Sequence, residues 1–164
     1  MTDLTIRPAT DADGDGLAVL ISGCFAEYEG CLFDRAAEFP ELDAIATHFQ
    51  DKGGAIWVAE HDGGIVGSIA CAPTEDAGTV ELFKLYVARE MRGRGLARAL
   101  LDHVLGFARE RSASAVRLFT DTRFLDAHRF YERHGFQRLP GSRPLNDISN
   151  SFEYPYRLSL PGAR

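Results

Sequence analysis

Val80-Glu81-Leu82-Phe83-Lys84-Leu85-Tyr86-Val87 reads as a strand, and the loop after it contains Arg92-Gly93-Arg94-Gly95. Leu96 then opens an amphipathic helix, with Leu100, Leu101, Val104, Leu105 and Ala108 in one stripe. A strand, a glycine-rich turn and a helix start leave several backbone N–H groups unpaired at the positive end of the helix dipole. A phosphate fits such a place. Glycine lets the backbone come close to a ligand, and flanking arginines add charge-assisted hydrogen bonds. Two nucleotide-binding patterns are excluded. A Walker A loop ends in Gly-Lys-Ser/Thr, which is absent, and a dinucleotide fingerprint needs a third small residue where this chain has Arg98. By itself the loop fits either a phosphate site or an ordinary turn rich in solvated arginine.

Charge narrows the class of ligand. The net charge is -6, which argues against a general nucleic-acid binder. Residues 1–50 hold ten acidic and two basic side chains, whereas residues 84–98 hold Lys84, Arg89, Arg92, Arg94 and Arg98 against Glu90. A small basic spot on an acidic chain suggests one compact anion. Cys24, Cys31 and Cys71 are odd in number and lack Cys-x-x-Cys spacing, so they read as small buried hydrophobes. The five histidines show no metal-ligand spacing, and no metal is expected. No apolar run approaches the roughly 20 residues of a membrane-spanning helix. The first residues do not pattern as a signal peptide, which makes the cytoplasm the expected compartment.

The 164 residues suit a single domain over 1–164. Leu4 to Arg7 reads as a strand. Thr10 offers a helix N-cap ahead of Leu17, Leu20, Ile21, Cys24 and Tyr28, and a second helix starts near Pro40. Ala55 to Glu60 and Ile65 to Cys71 flank a hairpin turn at His61-Asp62-Gly63-Gly64. After the Leu96 helix come a strand at Val116 to Thr120 and a helix from about Asp126 to His134, ended by Gly135. Strands at Phe136 to Leu139 and Phe152 to Leu160 follow, with Pro155 expected at an edge or a bulge. The order β-α-α-β-β-β-α-β-α-β-β describes an α/β domain with a mixed, mostly antiparallel sheet flanked by helices.

Arg92-Gly93-Arg94-Gly95-Leu96-Ala97 resembles the Arg/Gln-x-x-Gly-x-Gly/Ala signature of the GNAT acetyltransferase superfamily. Phe130-Tyr131-Glu132-Arg133-His134-Gly135-Phe136 resembles that family's second block, at a fitting separation. The resemblance implies the GNAT fold and an acetyl-CoA co-substrate. It implies that Arg92, Gly93, Arg94, Gly95, Leu96 and Ala97 hold the pyrophosphate and that the backbone of Leu85, Tyr86 and Val87 pairs with the pantetheine arm. The second block often begins with an asparagine where this chain has Phe124, so Asp121 or Thr122 is the expected replacement. The acceptor is expected to be a small-molecule or peptide primary amine, attacked directly in a ternary complex. A catalytically silent acyl-CoA-binding or regulatory domain on the same fold is the alternative. The family also admits homodimers.

Acetyl transfer to an ammonium needs a base, a carbonyl polariser and an acid for the thiolate. Glu81 is the candidate base. It stands where histone-acetylating members of the family carry a glutamate, and strand alternation puts it on the face of Phe83, Leu85 and Val87. A carboxylate among apolar neighbours should titrate high. Its other reading is a partner for a lysine or arginine. Tyr131 is the candidate acid by its match to the family's tyrosine, its other reading being a packed ring. By resemblance, the Val87 amide is the donor to the carbonyl. Cys71 has no motif support as a nucleophile. Glu27, Glu29, Asp34, Glu38, Glu41 and Asp43 surround Tyr28, which is read as an acceptor-site residue. Those acids either attract a cationic amine or form a solvated face.

Overall fold

The computed structural model describes residues 3–161. Met1 and Thr2, the start of the segment weighed as a leader, lie outside them, as do residues 162–164. Strand β1 (Leu4–Pro8) leads through a 3-10 turn into α1 (Gly14–Phe25). Asp13 organises this entry, accepting from the Thr10 amide at 2.7 Å and from both terminal nitrogens of Arg7 at 2.9 Å. A one-turn helix α2 (Arg35–Glu38) and α3 (Ile45–Asp51) complete the first helical layer. The helix expected from Pro40 is instead a 3-10 turn over Pro40–Ala44 followed by α3. Then come β2 (Ala55–His61), β3 (Gly64–Pro73), β4 (Thr79–Val87), α4 (Leu96–Glu110), β5 (Ala115–Asp121) and α5 (Leu125–Arg133). Strands β6 (Gln137–Arg138), β7 (Arg143–Pro144) and β8 (Phe152–Ser159) close the chain.

The strands form one sheet in the order β1-β2-β3-β4-β5-β8-β6, with β7 also on β8. Every pairing is antiparallel except β4 with β5. One face packs on α4 through Leu100, Leu101, Val104 and Ala108, with Val80, Leu82, Val116 and Leu118 beneath them. The other packs on α1 and α3 through Leu17, Ile21, Ile45 and Phe49 over Ile56, Val58 and Ala70. Chain crossing is tight where β2 begins: a Cβ on Gly54 would collide with the Cys71 carbonyl oxygen.

Two irregularities shape the centre. The first is a bulge in β4. Ser68 pairs with Tyr86 and Ala70 with Phe83, so Lys84 and Leu85 together oppose Ile69. Lys84 takes a positive φ of 58°, and Ser68 Oγ donates to its carbonyl at 2.6 Å. The bulge reverses the alternation. Leu85 and Val87 join the α4 face with Val80 and Leu82, while Phe83 and Tyr86 pack toward α1 and α3. Glu81 therefore shares a face with Phe83 but not with Leu85 and Val87, contrary to the uninterrupted alternation read from the sequence.

The second is a fork. β4 and β5 pair only from Thr79–Ala115 to Glu81–Arg117, then part. Beyond the fork, β5 pairs with β8 along its whole length. Pro155 is consequently in an interior strand rather than at an edge. It is tolerated because the far side of β8 is broken there: β6 ends opposite Tyr156, β7 lies opposite Glu153, and the Pro155 carbonyl accepts from Leu139 N at 2.8 Å.

Candidate active site

Two grooves adjoin the splayed part of the sheet. The first has a volume of ≈ 430 Å³ and is lined by Val87, Arg92, Gly93 and Gly95 of the loop, the first turn of α4, Tyr28, Phe130 of α5 and His134 just after it. The second, of ≈ 500 Å³, is lined by Glu81, Phe83, Phe119, Asp121, Arg143 and Glu153. Leu85, Tyr86, Phe124, Ala127 and Tyr131 line both, so the grooves meet at these residues.

The first groove is built for a phosphate-bearing ligand. Gly93 and Gly95 take φ of 77° and 80°, and a Cβ on either would meet no atom within 4 Å. Gly95 caps α4 without a side-chain hydrogen bond, so the first-turn amides of α4 face open space. The arginines divide. Arg94 and Arg98 are exposed at the loop, with Arg98 bonded to Asp102 at 3.0 Å and His134 at 3.2 Å. Arg92 turns inward. Its Nη1 and Nη2 donate to Glu27 at 2.6 and 2.8 Å, and its Nε donates to the Val87 carbonyl at 3.1 Å. These bonds tie the loop to the turn after α1, and Arg92 still lines the groove.

Tyr28, expected beside the acceptor, lines this first groove and packs on Phe124 with centroids 4.9 Å apart. Asp121 does not take the place of an asparagine there. It lies on the second groove, with its carboxylate gripped by the Arg123 amide, Nε and Nη2 at 2.8 to 3.0 Å. Thr122 lines neither groove.

Tyr131 projects from α5 into the junction. It is 5% exposed and packed on Phe130, Phe136 and Tyr156. Burial, then Tyr156, pushes its phenol well above the usual tyrosine range, so it keeps its proton at neutral pH. Tyr86 beside it is also held neutral, by burial first and then by Cys24, Tyr131, Glu153 and Glu41.

Glu81 lies at the root of the fork. Its Oε1 accepts from Arg117 Nε at 2.8 Å, and the same guanidinium holds Glu75 and Asp76. Its setting is therefore an ion pair rather than the apolar one expected. Lys84 bonds Glu41 at 2.6 Å beside Phe39. Burial opposes ionisation of Glu41, but Lys84 outweighs it and holds the carboxyl below the usual range. Most of the acidic stretch near Tyr28 is engaged in structure: Asp34 caps α2, Asp43 pairs with Arg35, Glu38 accepts from Ile148 N, and Glu27 holds Arg92. Cys71 is fully buried and its thiol is pushed up to about 12 by burial, which suits packing. Among the described residues no group of three or more His, Cys, Asp or Glu is placed to hold a metal, and no helix is long and apolar enough to cross a membrane.

Sequence reading passed over the β5 and β8 side of the second groove. Arg143 stacks on Phe119 at 3.4 Å and bonds Glu153 Oε1 through Nε and Nη2 at 3.0 and 2.9 Å. A glutamate between Phe152 and Tyr154 at the start of a strand rich in aromatic residues was the available signal for Glu153.

Comparison with known proteins decides the family, because the model of the acetyltransferase (GNAT) family matches residues 21–136. The chain belongs to the GNAT family. A relative, N-acetylaspartate synthetase of Danio rerio, is 37% identical over 138 residues, covering 77% of this chain and 49% of that protein. This GNAT chain thus spans about half the length of that relative. A solved GNAT acetyltransferase of Staphylococcus aureus Mu50 superposes with a TM-score of 0.80 at 25% identity, covering 96% of this chain and 99% of the other. The same fold recurs at 21% identity and a TM-score of 0.73 in yncA of Salmonella typhimurium, solved with acetyl-CoA, covering 97% and 95%.

Proposed function

We propose that this GNAT chain transfers the acetyl group of acetyl-CoA to a primary amine, with both substrates bound at once and no acetyl-enzyme. The observation that carries this reading is the meeting of two grooves at Tyr131, Leu85 and Tyr86. Gly93, Gly95 and the uncapped start of α4 fit a pyrophosphate, since an anion there would meet amides and no Cβ. The backbone of Leu85 to Val87, aimed into the first groove by the Lys84 bulge, pairs with the pantetheine arm, and the Val87 amide polarises the carbonyl. Acetyl-CoA supplies an activated acyl group and a thiolate leaving group. The second groove holds the amine, Tyr131 protonates the departing sulfur, and one of the groove's carboxylates receives the ammonium proton.

For the acceptor, the lining mixes Lys84 and Arg143 with several carboxylates and aromatic walls, which suits a small amine bearing further polar groups. One relative is named for making N-acetylaspartate, so L-aspartate heads a panel that also includes other amino acids, polyamines and lysine peptides. Calorimetry with CoA followed by acetyl-CoA-consumption assays across the panel tests the reading. Binding with turnover of one amine supports it, and binding without any turnover makes the chain a silent acyl-CoA binder.

A further inference from the structure

The acceptor groove offers five carboxylates: Glu38, Glu81, Asp121, Asp147 and Glu153. Their height in the fork separates them. Glu81 pairs with Arg117, the last contact before β4 and β5 part. Four residues further along β5 stands Asp121, directly opposite Glu153 on β8, and with the Lys84–Leu85 bulge taking one step the matching residue on β4 is Tyr86. Glu153 is therefore about 13 Å above the root, at about 3.3 Å per residue, level with Tyr86, which lines both grooves.

Its surroundings also distinguish it. The Glu153 side chain is 17% exposed, and both bonds from Arg143 fall on Oε1. Oε2 takes no hydrogen bond from any described residue. Arg143 itself is 49% exposed and stands on a two-residue strand at the groove's mouth. The charged and titratable groups facing Glu153 are Arg143 from β7, Asp121 from β5, and Glu81 and Tyr86 from β4. Burial raises its carboxyl above the usual range, with Asp121 and Glu81 adding to the effect and Arg143 only partly opposing it.

We infer that Glu153, rather than Glu81, takes the proton from the acceptor ammonium. The inference rests on the acetyl-transfer reading. An ammonium N–H bond breaks and its proton passes to Glu153 Oε2. The freed lone pair forms the N–C bond to the acetyl carbon while the C–S bond breaks. Tyr131 protonates the sulfur and regains a proton from the nitrogen's remaining excess N–H. Glu153 then releases its proton to water, so one proton leaves per turnover. Glu81 keeps Arg117 at the root of the fork.

Two measurements on the full chain test this. The first is a carboxyl-¹³C NMR titration of glutamate-labelled protein, with signals assigned through Glu153→Gln and Glu81→Gln. Glu153 is expected to protonate above the usual glutamate range as pH falls, and protonation within or below that range overturns the inference. The second is kcat/KM against pH with L-aspartate and putrescine as probe amines. Glu153→Gln is expected to lose the acidic limb and about 100-fold in kcat with unchanged CoA affinity. Glu153→Asp should restore the limb, and Glu81→Gln should leave it in place. An unmoved limb in Glu153→Gln overturns the inference. The titration needs no acceptor. A chain that binds CoA but acetylates neither amine would count against the acetyl-transfer reading alone, and the Glu153 titration would still decide for or against Glu153.

Discussion

Tyr131 is reached from both grooves yet is almost wholly buried, so its phenol can act on a bound sulfur without exchanging its proton freely with solvent. Tyr131→Phe removes one oxygen from a packed aromatic cluster and leaves its ring contacts. It should lower kcat by about 100-fold while CoA affinity, read by calorimetry, stays within about two-fold. Arg92 differs from Arg94, because its charge is balanced by a direct ion pair with Glu27. Glu27→Gln is expected to loosen the glycine loop and weaken CoA binding about five-fold, whereas Arg94→Gln acts only through the charge it presents to solvent. Binding titrations across a salt series separate the two: the Arg94→Gln deficit shrinks as salt rises, and that of Glu27→Gln persists. Both arginines read alike as motif letters. Which one faces outward depends on Glu27, 65 residues earlier in the chain, and no local pattern contains that.

Strand β4 shows how far local pattern reaches. Its span, the helix that follows and the loop between them are legible from apolar spacing and glycine, and they match to within a residue at each end. The bulge is not legible. Nothing in Phe83-Lys84-Leu85 announces a positive φ, which is held by Ser68 on the neighbouring strand and by Glu41 from the turn before α3. The two-residue strands β6 and β7 exist only through pairing with β8, so their sequences carry little signal. The glycines at element ends are more predictable in their consequences. Gly95→Ala places a Cβ at a φ of 80° in open space, which costs about 1 kcal/mol of stability. It also fills the approach to the α4 amides, so the rise in Tm on adding CoA should shrink more than the ligand-free Tm falls. Gly54→Ala pushes against the Cys71 carbonyl, a backbone atom that cannot swing aside. A loss of about 2–4 kcal/mol in denaturant titrations is expected.

At the scale of the whole molecule, acid stability follows chiefly from three partly buried carboxyls among those held below their usual range. Asp13 is lowered by its bonds to Arg7. For Asp121 and Glu41, burial opposes ionisation but Arg123 and Lys84 outweigh it. Groups with depressed folded values add stability that is complete above their unfolded values near pH 4 and is lost as pH falls through the folded ones. Thermal melts should therefore be nearly flat from pH 7 to about 5 and drop steeply below about 4, with Arg7→Gln blunting that drop. The sheet order has a consequence of another kind, in time rather than in energy. The central place beside β5 is filled by Phe152–Ser159, the last strand of the sheet to be made. Until a growing chain has released those residues, β5 keeps an unpaired edge and the second groove lacks the wall that bears Glu153. An unpaired edge of this kind invites pairing with other chains. Synthesis of this fold thus passes through a stage in which α4 and the glycine loop can already be in place while one wall of the second groove has not yet formed.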